Sequence, residues 1–218
     1  MREDGCEKTL SFPFLEPHRV FAYVHDVLQI QSPPDHVAFY WAWGKRFNYG
    51  WAQLGGPGAV PVGLYADEAR YDEAGNKVLG VFANMVLHRP KSIRRSRFLL
   101  FALRSSFIRG TDTLHALYLK ITESLHIAFR GCGESGTRYL LTELRGDLMF
   151  HKQLWGCRGG WVHTSEDSCF FCEAKARGDA STGLYYTDIS LDAEWRKTEF
   201  KNVNDWAAKV LDKNKICP

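Results

Sequence analysis

No apolar run in this chain approaches the roughly 20 residues that a membrane-spanning helix needs. The longest, such as Val37-Ala38-Phe39-Tyr40-Trp41-Ala42-Trp43, are far shorter. The N-terminal stretch Met1-Arg2-Glu3-Asp4-Gly5-Cys6 is charged and has no apolar core, so no secretory signal is expected. Cysteine is scarce as well, with six in 218 residues and a single Cys-x-x-Cys. These absences predict an intracellular protein with no membrane partner. In such a chain thiols are more often reduced or metal-bound than joined as disulfides. Two catalytic signatures are also missing. Gly55-Gly56-Pro57-Gly58 is not followed by Gly-Lys-Ser/Thr, so it is no phosphate-binding loop, and no Gly-x-Ser-x-Gly elbow supports a serine hydrolase.

What is present is apolar and aromatic. Hydrophobic residues make up 45% of the chain and aromatics 14%, with seven tryptophans. That composition supports a large core and excludes a disordered chain. The net charge of +3 permits contact with nucleic acid without requiring it.

Hydrophobic spacing divides the chain. Residues 14–31 are expected to be helical, with Val20, Phe21, Val24, Val27 and Leu28 on one stripe and Pro17 in the first turn. Ser32-Pro33-Pro34 ends that helix, and Asp35 is expected to cap a second one carrying Phe39, Trp43 and Phe47. The Gly55–Gly58 break closes a helical preface over residues 1–57. Beyond it, strands are expected over Val60–Ala66, with Asp67 and Glu68 just past the end, over Lys77–Leu87 after a turn at Ala74-Gly75-Asn76, and over Phe98–Leu103 after a basic loop, His88–Arg97. A helix is expected over Thr111–Phe129, capped by Thr111 or Thr113 and stopped by Gly131, then a buried strand over Tyr139–Leu144 with Asp147 at its end. Strand, strand, strand, helix, strand matches the start of a ribonuclease H-like α/β fold, a three-stranded meander extended by a parallel strand. The core is placed at residues 58–156, and residues 157–218 form a Cys/His-containing insertion with a C-terminal helical segment.

Four groups carry chemistry. Asp67 and Asp147 end separate strands, the arrangement needed to hold Mg²⁺ or Mn²⁺ for phosphoryl transfer, with Glu68 and Asp72 as substitutes for Asp67. A helix cap at Asp147 and a surface turn at Asp67 would explain the same residues without catalysis. Cys169 and Cys172 form half of a tetrahedral zinc site, with Cys157 and His163 nearest to complete it and His151 in reserve. Partly buried thiols or a redox pair are the alternatives. The loop cations Arg89, Lys91, Arg94, Arg95 and Arg97 suit a nucleic-acid backbone, or simply a solvated surface. The aromatic set Tyr40, Trp41, Trp43, Phe47, Tyr49 and Trp51 suits base stacking, with core packing the simpler expectation.

The run Gly146-Asp147-Leu148-Met149-Phe150-His151-Lys152-Gln153-Leu154-Trp155-Gly156, followed by Cys169-Phe170-Phe171-Cys172, resembles the second-aspartate block of CACTA- and Plavaka-like DDE transposases. The run Gly63-Leu64-Tyr65-Ala66-Asp67-Glu68 with Val81-Phe82-Ala83-Asn84 is similar to that family's first-aspartate strand and the strand after it. The resemblance covers roughly residues 58–175 and extends to transposon-derived proteins of some protists. It implies a ribonuclease H-like core and DNA strand transfer by a divalent-metal-dependent transposase or nuclease, with Asp67 and Asp147 as the first two catalytic acids. It also implies a zinc-binding insertion at Cys169 and Cys172, DNA as partner, nuclear localisation, and compatibility with a homo-oligomer. The family's third acid lies on a later helix. Glu173, Asp188, Asp192 and Glu194 precede Pro218, and none stands in that context, so an incomplete or non-catalytic zinc-stabilised binding module is the alternative.

Overall fold

The computed structural model describes residues 11–92, 95–108, 110–146, 190 and 192–194. Residues 1–109 and 116–145 form one compact unit, and residues 110–115 and 146–218 a second. Among the described residues the elements are α1 (Pro17–Asp26), α2 (Pro34–Arg46), β1 (Ala59–Arg70), β2 (Lys77–Met85), β3 (Arg97–Arg104), α3 (Gly110–Arg130) and β4 (Arg138–Gly146). Short 3-10 turns lie at Gly50–Gln53 and Ser105–Phe107. The fold is α/β. Its four strands lie in the order β3-β2-β1-β4, with β1–β2 and β2–β3 antiparallel and one parallel pair, which is β1–β4.

Local chemistry explains the meander. Asp72 accepts the Asn76 backbone N–H at 2.8 Å and its side-chain amide at 2.6 Å, and Gly75 adopts φ +80°, so the chain reverses there. The hairpin runs further than the hydrophobic pattern predicts. Asp67, Glu68, Ala69 and Arg70 pair with Gly80, Leu79, Val78 and Lys77. Asp67 therefore lies within β1, not beyond its end, because pairing continues to the turn whatever the side chains' polarity. Strand β2 stops at Met85, short of the expected Leu87, and Arg97 belongs to β3 and not to the preceding loop. Between β2 and β3 the register shifts by one residue at Leu100, so Leu100 and Phe101 are both buried.

Alternation sorts β1. Val62, Leu64, Ala66 and Glu68 share one face with Leu79, Val81, Ala83, Met85 and Phe101, and that apolar row is buried. Phe12 and Phe14 lie against Phe101 with ring centroids 6.2 and 6.0 Å away. In α1, Phe21 stacks on Tyr139 of β4 at 4.9 Å, and His18 meets the buried Ser124 of α3 through both its backbone N–H and its ring. On the α3 stripe Leu114, Leu117, Ile121 and Ala128 are buried and Tyr118 and Leu125 half-buried, and the helix stops at Gly131, φ +116°.

Two helices differ from expectation. Helix α1 begins at Pro17 but ends at Asp26, because Leu28 N–H and Ile30 N–H turn back to Tyr23 and Val24 carbonyls around a left-handed Gln29. Val27 and Leu28 are exposed. Helix α2 begins at Pro34 with Pro33 before it, so Asp35 sits in the first turn and makes no side-chain cap bond. Its buried positions are Val37, Trp41 and Gly44, and the expected stripe of Phe39, Trp43 and Phe47 faces outward. Trp41 decides this orientation. Its indole N–H donates to the Ala59 carbonyl at 2.7 Å, and the ring packs with Val37, Ala52 and Ala59.

Candidate functional site

The odd-numbered half of β1 forms the candidate site. Tyr65 and Asp67 project to the face opposite the buried row, beside Gly80, Phe82, Leu99 and Arg97 of the neighbouring strands. Asp67 is exposed. Its Oδ2 accepts the Tyr65 hydroxyl at 2.7 Å, while Oδ1 has no hydrogen-bond partner among the described residues. The Arg97 guanidinium lies 3.6 Å from the Tyr65 ring centroid, close enough for a cation–π contact. The bond to Asp67, followed by partial burial, raises the Tyr65 phenol above its ordinary value. Two residues before Tyr65, Gly63 pairs with Asn84, which also pairs with Arg97, is buried, and has an Oδ1 without a hydrogen-bond partner among the described residues.

Glu68 and Asp72, the substitutes for Asp67, are committed elsewhere. Glu68 accepts from Lys77 Nζ at 2.7 Å and from the Ser105 hydroxyl at 2.5 Å on the other face of the sheet. The Lys77 bond, then the Ser105 bond, hold its carboxyl below the ordinary range. Both Asp72 oxygens serve the β1–β2 turn, and the Asn76 amide holds that carboxyl low. Asp67 is thus the β1 acid with an open oxygen among the described residues, which suits a hard cation that takes oxygen ligands. Among the described residues no cluster of three or more His, Cys, Asp or Glu could hold a metal ion.

The remaining predicted positions divide. Asp147, His151, Cys157, His163, Cys169, Cys172 and Arg94 lie outside the described residues, as do Glu173 and Asp188. Lys91 and Arg95 are exposed between β2 and β3, and Arg97 is drawn onto the sheet by Tyr65. Asp192 and Glu194 are described and exposed. Sequence reasoning did not single out Tyr65, although its two-residue separation from Asp67 places both on one face of a strand. The Lys77–Glu68–Ser105 group and the buried Asn84 needed the cross-strand register to be found.

Among the described residues no helix is long and apolar enough to cross a membrane. No protein-family model matches the chain, and no curated protein matches it.

Proposed function

We propose that this chain is a ribonuclease H-like DNA-binding and strand-transfer domain of transposase descent, with a divalent metal held by Asp67 and Asp147. The observation that carries this reading is the sheet order β3-β2-β1-β4. It makes the acid-bearing β1 a central strand and β4 its parallel neighbour. The Thr142 hydroxyl of β4 lies 3.5 Å from the Val62 carbonyl of β1.

A bound Mg²⁺ or Mn²⁺ supplies Lewis-acid polarisation of a phosphate oxygen and a lowered pKa for the attacking oxygen. Asp67 contributes an accessible carboxylate oxygen, fixed in orientation by the Tyr65 hydroxyl. Lys91, Arg94, Arg95 and Arg97 contribute charge that neutralises backbone phosphates. In the reaction, water or a 3′-hydroxyl forms a new P–O bond and releases its proton to solvent. The P–O bond to the departing strand breaks, and the leaving oxygen takes up a proton. Cys157, His163, Cys169 and Cys172 are proposed as ligands of a structural zinc ion.

The intact chain should nick supercoiled plasmid in the presence of Mn²⁺. Asp67→Ala and Asp147→Ala should each lower that rate by about 100-fold or more, since a metal ligand secures several kcal/mol of transition-state stabilisation. Nicking that survives both changes would end the catalytic reading. DNA binding without cleavage by the intact chain would establish the second reading, a zinc-stabilised binding module. Elemental analysis should find close to one zinc per chain, lost in Cys169→Ser, and zinc-free protein would remove the insertion from either account.

A further inference from the structure

The outward face of α2 carries an aromatic surface that neither the core nor the Asp67 site uses. Phe39, Phe47, Tyr49 and Trp43 are 73%, 56%, 42% and 40% exposed. Trp43, Phe47 and Tyr49 continue a ring cluster that begins inside the protein, and Phe39 stands one turn before Trp43 on the same helix. Trp51 stacks on Tyr40 at 5.2 Å and on Tyr49 at 5.5 Å, and Trp43 lies 5.4 Å from both Phe47 and Tyr49. The inner rings brace Trp43, Phe47 and Tyr49, so that part of the surface costs little ordering when something stacks on it. Beside it Pro33, His36, Phe39, Tyr40, Trp43, Leu87 and Arg89 line a groove of about 470 Å³. That volume lies in the range of roughly 300–1,000 Å³ typical of ligand clefts.

We propose that this groove binds single-stranded nucleic acid, with an unpaired base against Phe39 and Trp43 and the flanking phosphates on Arg89, His36, Lys45 and Arg46. Charge selects the occupant. Arg89, Lys45 and Arg46 are exposed cations around the rings, and Lys91 continues the series beyond the groove. The nearby carboxylates are already paired with bases: Asp35 lies 4.0 Å from the His36 ring nitrogen at the start of α2, and Glu143, whose charge reaches Tyr40, pairs with Arg145. A second copy of this surface would set cations against cations, which opposes self-association. A duplex keeps its base faces stacked inside, so rings in this position can stack only on an unpaired base. The groove opens onto the segment that holds Arg89 and Lys91, which joins the stacking platform to the backbone-binding charge. This binding is independent of the strand-transfer reading, because none of these residues belongs to the Asp67 site.

The test is fluorescence anisotropy of a labelled oligo(dT) titrated with the full chain at two salt concentrations. Phe39→Ala and Trp43→Ala should each weaken binding about 5- to 100-fold, the fold-change expected when one base loses its stacking partner. Arg89→Gln should flatten the salt dependence by about 0.7, one phosphate's share for a single strand. Asp67→Ala should bind as the wild type does, which separates this outcome from failure of the catalytic reading. Both alanine positions are exposed, and far-UV circular dichroism should confirm unchanged folding. Wild-type affinity in both alanine variants would overturn the proposal, and so would equal competition by an unlabelled duplex of the same length. Concentration-dependent self-association abolished by Trp43→Ala would also overturn it and assign the groove to a second copy.

Discussion

The two faces of the sheet receive the same strands and treat them differently. On one face Val62, Leu64, Ala66, Val81, Ala83 and Phe101 are all 5% exposed or less. On the other, Tyr65 and Asp67 of the outer half of β1 and Leu99 and Ala102 of β3 meet solvent, while Ala59 at the inner end of β1 is roofed by Trp41 of α2. Adjacent carboxylates are divided in the same way. Glu68 is neutralised by Lys77 and Ser105, whereas Asp67 has one neighbouring hydroxyl and one open oxygen. A strand thus separates a stabilising acid from an available one by a single residue, because alternate side chains point to opposite faces. Stability and chemistry in this fold should therefore respond to opposite parities of β1 and its partners.

The sharpest break in that comparison is a truncation on each face of β3. Phe101 is 1% exposed and lies against the rings of both Phe12 and Phe14. Phe101→Ala should cost about 3–5 kcal/mol, the transfer term plus the cavity left behind. Leu99, two positions before it and across the bulge, is 44% exposed. Leu99→Ala should cost about 0.5 kcal/mol or less, as for a surface change. Urea unfolding of the two variants measures the difference. Similar midpoints would mean that the open face is packed as tightly as the buried one.

Much of this architecture was readable locally. The Asp72–Asn76 turn has its own side-chain bonds, and α3 carries an unbroken apolar stripe with a glycine stop, so both were found from neighbouring residues alone. Helix α2 is ambiguous in sequence because it is aromatic on both sides. Phe39, Trp43 and Phe47 form as good a helical stripe as Val37 and Trp41, and the choice was made by a bond from Trp41 to Ala59, 18 positions away. The site shows the same limit. Asp67 was visible as an acid near a strand end, but its setting depends on Tyr65 beneath Arg97. That contact exists only after three strands pair with a bulge between the second and third. Asp147 and the Cys/His set lie outside the described residues, and their proposed roles rest on the resemblance.

A smaller effect separates the two acids by pH. The folded protein holds the Glu68 carboxyl below its ordinary value of 4.5, through Lys77 first and Ser105 second. A depressed folded-state pKa contributes stability that is present above the unfolded value and disappears as pH falls through the folded one. The Glu68 and Lys77 side chains are 27% and 44% exposed, so solvent screening limits the pair to about 1 kcal/mol or less. Glu68→Gln should lower stability by that amount at neutral pH, and its deficit should close as the solution is acidified below the ordinary carboxylate value. A deficit that stays constant from neutral to acid would mean that packing, and not charge, holds the Lys77–Glu68–Ser105 group together.

The smallest effect is read on the open face itself, at Tyr65. Its phenol is raised chiefly by donating to Asp67, since ionisation would remove that hydrogen bond and set a phenolate beside a carboxylate. Arg97 over the ring acts in the opposite direction. Asp67→Asn should therefore bring the Tyr65 ionisation down toward its ordinary value, and Arg97→Gln should move it further up. With nine tyrosines in the chain, the readout is the ring-carbon NMR signal missing from a Tyr65→Phe control. Opposite displacements would show that acid, phenol and guanidinium act as one electrostatic unit on this face. Coincident titrations in the wild type and Asp67→Asn would show that the acid does not govern the phenol. The contrast with Glu68 would then reduce to exposure alone, because the bond to Tyr65 would not be shaping the setting of Asp67.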